Sequence, residues 1–175
     1  MRAPNPAFLP LLLASACAAP VVSDFAVRDT EVVVDSVAPF TTRPDLPARL
    51  ESTLAVALEY WDGSWGDLAG FTVTLTDDAR VTCRGVASAL GCTDGDQIRI
   101  VTADPGAGTF HCVEQTVLVH EVGHAVLGDP LHRDPRWMAF DKVAEALAGR
   151  PGYSGDGEAA CDLFVSVWRH PLGER

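Results

Sequence analysis

The residues best suited to chemistry in this 175-residue chain lie in the segment HEVGHAVLGDPLH, from His120 to His132. His120 and His124 are four residues apart, so on a helix they project from the same face, one turn apart. That spacing lets two imidazoles reach one tetrahedral Zn²⁺ ion, whose nitrogen ligands stand about 2.0–2.1 Å away. Glu121 follows the first histidine and is placed to hold a water molecule rather than the ion. The pattern H-E-x-x-H therefore predicts a hydrolytic zinc site.

A tetrahedral catalytic site needs a third protein ligand, and the chain beyond the helix must supply it. Gly128 permits a left-handed backbone, so the chain can reverse there and return over the metal. His132 is the preferred third ligand. Carboxylate oxygen also binds zinc. Three acidic residues therefore remain open as alternatives: Asp129, Asp134 and the more distant Glu158.

The longer segment HEVGHAVLGDPLHRDPRWMAF resembles the zinc site of the metzincin metallopeptidases. Their motif is H-E-x-x-H-x-x-G-x-x-H, and a methionine-containing turn follows it. The first histidine, the glutamate and the second histidine match position for position. Gly128 comes one residue late, and His132 follows it after four residues instead of three. One extra residue on each side of the glycine can be absorbed in a longer turn.

Two further segments carry the resemblance beyond the histidines. Met138 lies six residues after His132, in the region of the methionine turn, and Tyr153 to Phe164 is similar to the start of the last helix in matrixin-like members. The resemblance covers about residues 31 to 168. It implies that Met138 forms a floor under the metal, and that Gly128 shapes the reversal of the chain beside it.

The fold implied by the resemblance is α+β. It is a metzincin-like zincin with a mostly antiparallel or mixed twisted sheet, a long first helix, an active-site helix and a small loop-rich C-terminal part ending in a helix. A single domain is expected over residues 31–170, with an upper subdomain at about 31–128 and a lower one at about 129–170.

The implied activity is zinc-dependent endopeptidase, with one catalytic Zn²⁺ held by the three histidines and Glu121 as general base. An extended peptide is expected to pair with an edge strand, for which Gln97 to Thr102 is the predicted segment. Tyr153 is a weaker candidate for a hydrogen bond to the oxyanion. A non-catalytic surface lipoprotein that binds a metal or a partner is the alternative, and the intact Glu121 argues against it. A deformylase-like zinc hydrolase of another fold is a third interpretation. Such enzymes share the H-E-x-x-H motif but lack the methionine turn, which argues against this interpretation.

The charge of the chain limits the classes of binding partner that are expected. The 24 acidic residues exceed the 13 basic ones and give a net charge of −11. No cluster of Lys and Arg is present to neutralise phosphates, so nucleic acid is not an expected partner. A peptide or protein substrate and a monomeric chain are expected. His111 and His170 carry no supporting pattern and are interpreted as surface residues.

The N-terminus predicts export. Residues 1–17 combine Arg2, an apolar run and small residues, as a signal peptide does. The stretch before Cys17 resembles a bacterial lipobox, which predicts a lipidated cysteine as the only membrane anchor. Cleavage by an ordinary signal peptidase near Ala16 or Ala19 is the competing interpretation. Residues 18–30 then form a tether, and the location is extracytoplasmic.

Four cysteines remain after Cys17, as expected for an oxidising compartment. Cys83 and Cys92 flank a short loop, so they are the predicted local disulfide. Cys112 and Cys161 would then form the second, which is one of the three pairings that four cysteines allow. Buried free thiols are the alternative for some of them.

Hydrophobic periodicity predicts the helices and strands that must position these residues. Strands are predicted at Glu31–Val37, Phe71–Thr76, Arg80–Val86 and Gln97–Thr102, and helices at Asp45–Trp61, Val113–Leu127, Phe140–Ala148 and Glu158–Trp168. The first helix carries an apolar stripe with spacings of three or four, which is typical of a core-facing surface. Its members are Leu46, Leu50, Leu54, Leu58 and Trp61.

Overall fold

The structure is a computed structural model that describes residues 24–35, 46–76, 78, 80–102, 115–151 and 153. Within them the strands are β1 (Phe25–Val27), β2 (Thr30–Asp35), β3 (Thr72–Thr76), β4 (Val81–Cys83), β5 (Val86–Ala89), β6 (Gly91–Asp94) and β7 (Gln97–Val101). The α-helices are α1 (Leu46–Trp61), α2 (Gln115–Leu127) and α3 (Val143–Leu147). Short 3-10 helices span Trp65–Leu68 and Pro135–Lys142. The predicted α+β class is confirmed.

One mixed sheet of five strands carries the fold, in the order β1-β2-β3-β7-β6. The strands β2, β3 and β7 pair in parallel, whereas β1 and β6 pair antiparallel with their neighbours at the two edges. The tether predicted for residues 18–30 is therefore wrong for Phe25–Val27, which form β1. The predicted edge strand, Gln97 to Thr102, is therefore wrong. It forms β7, whose Ile98 and Ile100 are fully buried, and β6 is the edge on that side.

A hairpin replaces the single strand predicted for Arg80 to Val86. β4 and β5 pair antiparallel across Arg84 and Gly85, which both have a positive φ (46° and 88°). Two left-handed residues in succession match the twist of a tight hairpin, so the chain turns where continuous strand was expected. The predicted Cys83–Cys92 disulfide is confirmed, and it ties β4 to β6.

Helix α1 packs on α2 and covers one face of the sheet. All five members of its predicted apolar stripe are buried, and four of them have no exposed surface. Trp61 ends the helix, and its indole N–H donates to the backbone oxygen of Val119 at 2.6 Å. This buried bond joins the end of α1 to the middle of α2, the helix that carries the histidine pair.

Several predicted features lie outside the described residues. They are the signal peptide with Cys17, the pair Cys112–Cys161, His111, Glu158, His170 and the last predicted helix. Among the helices that are described, none has the length and apolar character needed to cross a membrane.

Candidate metal centre

Helix α2 presents its two histidines to one point, as their spacing predicts. The Nε2 atoms of His120 and His124 lie 3.1 Å apart. Helix α2 ends at Leu127, and Gly128 follows with φ 58° while its N–H donates to the oxygen of His124. This left-handed glycine ends the helix and turns the chain back towards the histidines.

The returning loop brings in the third histidine. The Nε2 atom of His132 lies 3.2 Å from that of His120 and 3.2 Å from that of His124. His132 has φ 54°, a left-handed conformation that is uncommon outside glycine. Such strained residues cluster at functional sites, where the surroundings hold them. These three histidines, the predicted ligand set, form a group that could hold a metal ion.

The nitrogen triangle fits a tetrahedral ion. Ligands at 2.0–2.1 Å in tetrahedral directions are separated by about 3.3 Å, close to the spacing here. Hydrogen bonds cannot account for all three contacts, because a neutral imidazole Nε2 carries either one proton or one lone pair. The Nδ1 atom of His124 lies 2.8 Å from the backbone oxygen of Asp129. Because a carbonyl only accepts, Nδ1 donates, and the Nε2 lone pair faces the centre of the triangle.

The electrostatics favour neutral imidazoles. Burial, followed by the charges of the other two histidines, lowers the pKa of His120 to about 4. Burial also lowers the pKa of His124; the hydrogen bond to Asp129 opposes this change, and the nearby charges of His132 and Arg84 add to it. Metal binding requires the deprotonated nitrogen, so the surroundings prepare these two side chains as ligands.

The two aspartates considered as alternative ligands do other work. The carboxylate of Asp129 accepts the backbone N–H groups of Leu131 and Asp134, at 3.1 and 2.7 Å. Asp134 caps the 3-10 helix by accepting the N–H of Arg136 and also pairs with that guanidinium. Both carboxylates therefore hold the loop that carries His132, and neither belongs to the ligand group found among the described residues.

The floor under the histidines is Trp137 rather than Met138. Met138 is 86% exposed, so the prediction that it lines the site is wrong. The Trp137 ring lies 4.9, 4.8 and 4.3 Å from the rings of His120, His124 and His132. In this 3-10 turn the residue before the methionine points inward, and the larger indole supplies the apolar surface.

Trp137 in turn rests on the core. Its ring centroid lies 4.4 Å from that of Trp61 at the end of α1. Gly123 leaves the space for both indoles, because a Cβ atom there would lie 2.5 Å from Trp61 and 2.8 Å from Trp137. The histidine triangle is thus supported by α1 through two successive aromatic side chains, Trp137 and Trp61.

Glu121 lies beside the triangle and is only 5% exposed. Its Oε2 atom lies 2.8 Å from the hydroxyl of Thr93 in β6, and the same hydroxyl lies 2.9 Å from the backbone oxygen of Glu121. Burial raises the pKa of the Glu121 carboxyl, and the hydrogen bonds from Thr93 oppose that rise. A carboxyl with a raised pKa next to a metal site is suited to accept and return a proton.

Gly91 in β6 leaves room for this carboxylate. A Cβ atom at Gly91 would lie 2.7 Å from both Cγ and Oε1 of Glu121. The edge strand therefore approaches α2 closely because it has no side chain at this point. Strand and helix together enclose the carboxylate while leaving it open to the cleft beside them.

Three cavities follow the edge strand. The hairpin cavity (about 250 Å³) is lined by Cys83, Arg84, Ala89, Gly91, Thr93, His120, Glu121, His124 and Pro130. The Phe140 cavity (about 290 Å³) is lined by Ala89, Leu90, Gly91, Thr116, Val117, His120, Glu121 and Phe140. The Gly95 cavity (about 210 Å³) includes Phe71, Arg84, Thr93, Gly95, His124, Ala125, Gly128 and Pro130. The cleft thus extends to both sides of Glu121.

Tyr153 is not positioned as an oxyanion donor. It is 8% exposed, its hydroxyl lies 3.1 Å from that of Thr116, and it lines none of the three cavities. The structural roles of Thr93 and Trp137 were not predicted. Trp137 was visible as an apolar residue beside Met138, whereas Thr93 carried no signal beyond its place in a turn.

Models of known protein families, curated proteins and solved structures give no match to this chain.

Proposed function

We propose that this protein is a zinc-dependent endopeptidase. The observation that carries the proposal is the convergence of three Nε2 atoms, 3.1 to 3.2 Å apart, beside the buried carboxyl of Glu121. Three histidines without cysteine or carboxylate are a ligand set typical of catalytic zinc, which keeps a fourth position for water or substrate. The metzincin resemblance of the same segment supports the same activity.

The proposed chemistry divides between the metal and the chain. A bound zinc ion supplies Lewis-acid chemistry, because it polarises a carbonyl and makes water acidic near neutral pH. Glu121 takes a proton from the attacking water at a carboxylate oxygen and returns it to the leaving amine. Thr93 orients the carboxylate, and Trp137 excludes water from below the histidines.

The cleft supports an extended peptide as substrate. β6 is the edge of the sheet next to the histidines, and the three cavities follow it. An edge strand offers unpaired backbone groups to an added strand, which gives affinity without sequence demands. We assign this role to β6 in place of the segment expected from the sequence.

An extracytoplasmic location belongs to the same proposal. The Cys83–Cys92 disulfide supports it, because disulfides persist in oxidising compartments. Lipidation of Cys17, with the lipid as the membrane anchor, is the more specific form. Mass spectrometry of the mature N-terminus tests it. A diacylated Cys17 is heavier than an unmodified Cys17 by several hundred daltons, on the order of two acyl chains. Ordinary cleavage after Ala19 instead leaves Pro20 as the first residue.

A non-catalytic metal-binding protein is the second candidate. The buried hydrogen bonds between Thr93 and Glu121 favour it, because they also suit a purely structural role for the glutamate. In that case Glu121 stabilises the contact between β6 and α2, and no substrate is cut.

The experiment that separates the two candidates compares wild type with Glu121→Gln. Metal content is measured by elemental analysis, and hydrolysis of a denatured protein is followed with and without chelator. The peptidase proposal expects about one zinc per chain in both proteins, with chelator-sensitive hydrolysis in wild type alone. Zinc retention with no hydrolysis by wild type contradicts the peptidase, and equal hydrolysis by both proteins removes Glu121 from the reaction.

A further inference from the structure

Arg84 is the feature of the cleft that the proposed reaction does not use. Its side chain lines both the hairpin cavity and the Gly95 cavity, next to His124. In the described part of the chain it is the only Lys or Arg that lines any of the three cavities. A cation at this place stands out in a chain with net charge −11.

The fold positions Arg84 firmly. It sits at the turn between β4 and β5 with φ 46°, directly after Cys83. The disulfide to Cys92 ties that residue to the edge strand, which keeps the adjoining turn beside the cleft. The backbone of Arg84 therefore lies next to the cavities that its half-exposed side chain lines.

The charge of Arg84 is only weakly used within the protein. Its ion pair with Asp94 spans 3.7 Å, longer than a hydrogen bond, and the two side chains are 47% and 73% exposed. Exposed pairs of this length contribute little to stability. The guanidinium keeps donors available for a carboxylate, which its planar fork can bind with two parallel bonds.

We propose that Arg84 selects peptide substrates that carry a carboxylate, bound in the hairpin cavity beside the scissile bond. The inference rests on the proposed peptidase function and adds a substrate class to it. The carboxylate can belong to an Asp or Glu side chain or to the C-terminus of the peptide. An antiparallel peptide on β6 brings residues before the scissile bond to Arg84, and a parallel one brings residues after it.

The test compares matched peptides. A mixture of peptides is digested, and cleavage sites are identified by mass spectrometry. Pairs that differ only by Asp against Asn or Glu against Gln, at each position around a site, then give ratios of kcat/KM. A third pair, with free against amidated C-terminus, separates the two sources of carboxylate. Wild type is expected to prefer the charged member by about tenfold, the usual scale for one charged hydrogen-bond pair.

The variants respect the backbone at position 84. Asn tolerates a left-handed conformation, so Arg84→Asn removes the charge with little strain. The charge preference is expected to fall to near one in Arg84→Asn, to persist in part in Arg84→Lys and to reverse in Arg84→Glu. Arg80→Asn is the matched control, because Arg80 precedes the same hairpin and lines none of the three cavities. It is expected to keep the wild-type ratio.

Binding to the Glu121→Gln variant keeps the inference testable without turnover. The same peptide pairs are titrated against this protein and its Arg84→Asn derivative, with tryptophan fluorescence as the readout. A binding preference for the carboxylate that disappears with Arg84→Asn supports the inference. If wild type cuts no peptide, that result contradicts the peptidase function but leaves this binding result standing. Equal charge preference with and without Arg84, in cleavage or in binding, overturns the role of Arg84.

Discussion

The hydroxyl of Thr93 contacts two oxygens of the same residue, Glu121: its carboxylate at 2.8 Å and its backbone carbonyl at 2.9 Å. A hydroxyl has one proton to donate and lone pairs to accept. When Glu121 is ionised, Thr93 donates to the carboxylate. When Glu121 is protonated, it donates to Thr93, which donates to the carbonyl. Both states of the proposed proton carrier are thus satisfied without movement of the backbone.

Thr93→Val keeps the shape of this side chain and removes the hydroxyl. We expect kcat/KM to fall about tenfold, since a hydrogen bond to a charged group is lost. The bond lowers the pKa of Glu121, so its loss raises that pKa further, and the acidic limb of the pH profile moves to higher pH. Kinetics across the pH range measure both effects. The control is Thr74→Val in β3, which makes the same change away from the cavities. If the acidic limb of the pH profile does not move in Thr93→Val, the proposed role of Thr93 is contradicted.

Gly91→Ala tests the close approach of β6 to α2. The new methyl group would lie 2.7 Å from Glu121, so the carboxylate or the strand must shift. A displacement of about 1 Å at a catalytic group costs on the order of 100-fold in rate. We expect hydrolysis to drop by that amount while zinc content stays near one equivalent. Gly66→Ala is the matched control, because its nearest atom lies at 3.5 Å; comparable losses in both variants would contradict a local effect.

Asp129→Asn probes the loop that carries His132. The Asp129 carboxylate accepts two backbone N–H groups, and the amide that replaces it offers only one accepting oxygen. Groups that orient metal ligands change affinity by about 10- to 100-fold when altered, and we expect zinc affinity to weaken within that range. Competition with a chromogenic chelator measures it. The control is Asp141→Asn, which removes the same charge from the exposed side of the 3-10 helix and should have the zinc affinity of wild type. Unchanged zinc affinity in Asp129→Asn would exclude a positioning role for the Asp129 carboxylate.

Trp137→Ala and Met138→Ala separate the two candidates for the floor. Trp137 is 9% exposed and Met138 is 86% exposed, so only the first truncation leaves a cavity. We expect the free energy of unfolding to fall by about 3–5 kcal/mol for Trp137→Ala and by less than about 0.5 kcal/mol for Met138→Ala. Urea denaturation with chelator present measures both without a contribution from bound metal. A larger loss for Met138→Ala would restore the methionine to the site.

The sequence was most informative where the interacting residues are close along the chain. The spacing of His120 and His124, the stripe on α1 and the Cys83–Cys92 pair all depend on local geometry, and the structure agrees with each. His132 was also expected, although two aspartates competed with it. Their exclusion needed the loop itself, because backbone hydrogen bonds that occupy a carboxylate leave no mark on residue types.

The features that escaped prediction depend on packing between distant segments. The alternation of apolar and polar residues in β7 also suits an edge strand. Its pairing with β3 on one side and β6 on the other, which makes it internal, cannot be read from that pattern. Trp137 and Met138 are neighbours of similar hydrophobicity. Which of the two side chains is buried depends on how the 3-10 helix is rotated about its axis, and this phase is not evident from residue types. That phase is set by the indole of Trp61 and the gap at Gly123.

The disulfide between the hairpin and the edge strand sets a limit on what the cleft can admit. With one wall cross-linked to the sheet and the opposite wall formed by a packed helix, the aperture has little freedom to widen. Under the proposed peptidase function, a short or tightly held loop of a folded protein is not expected to enter this cleft. The substrates expected under that proposal are flexible, unfolded stretches of polypeptide.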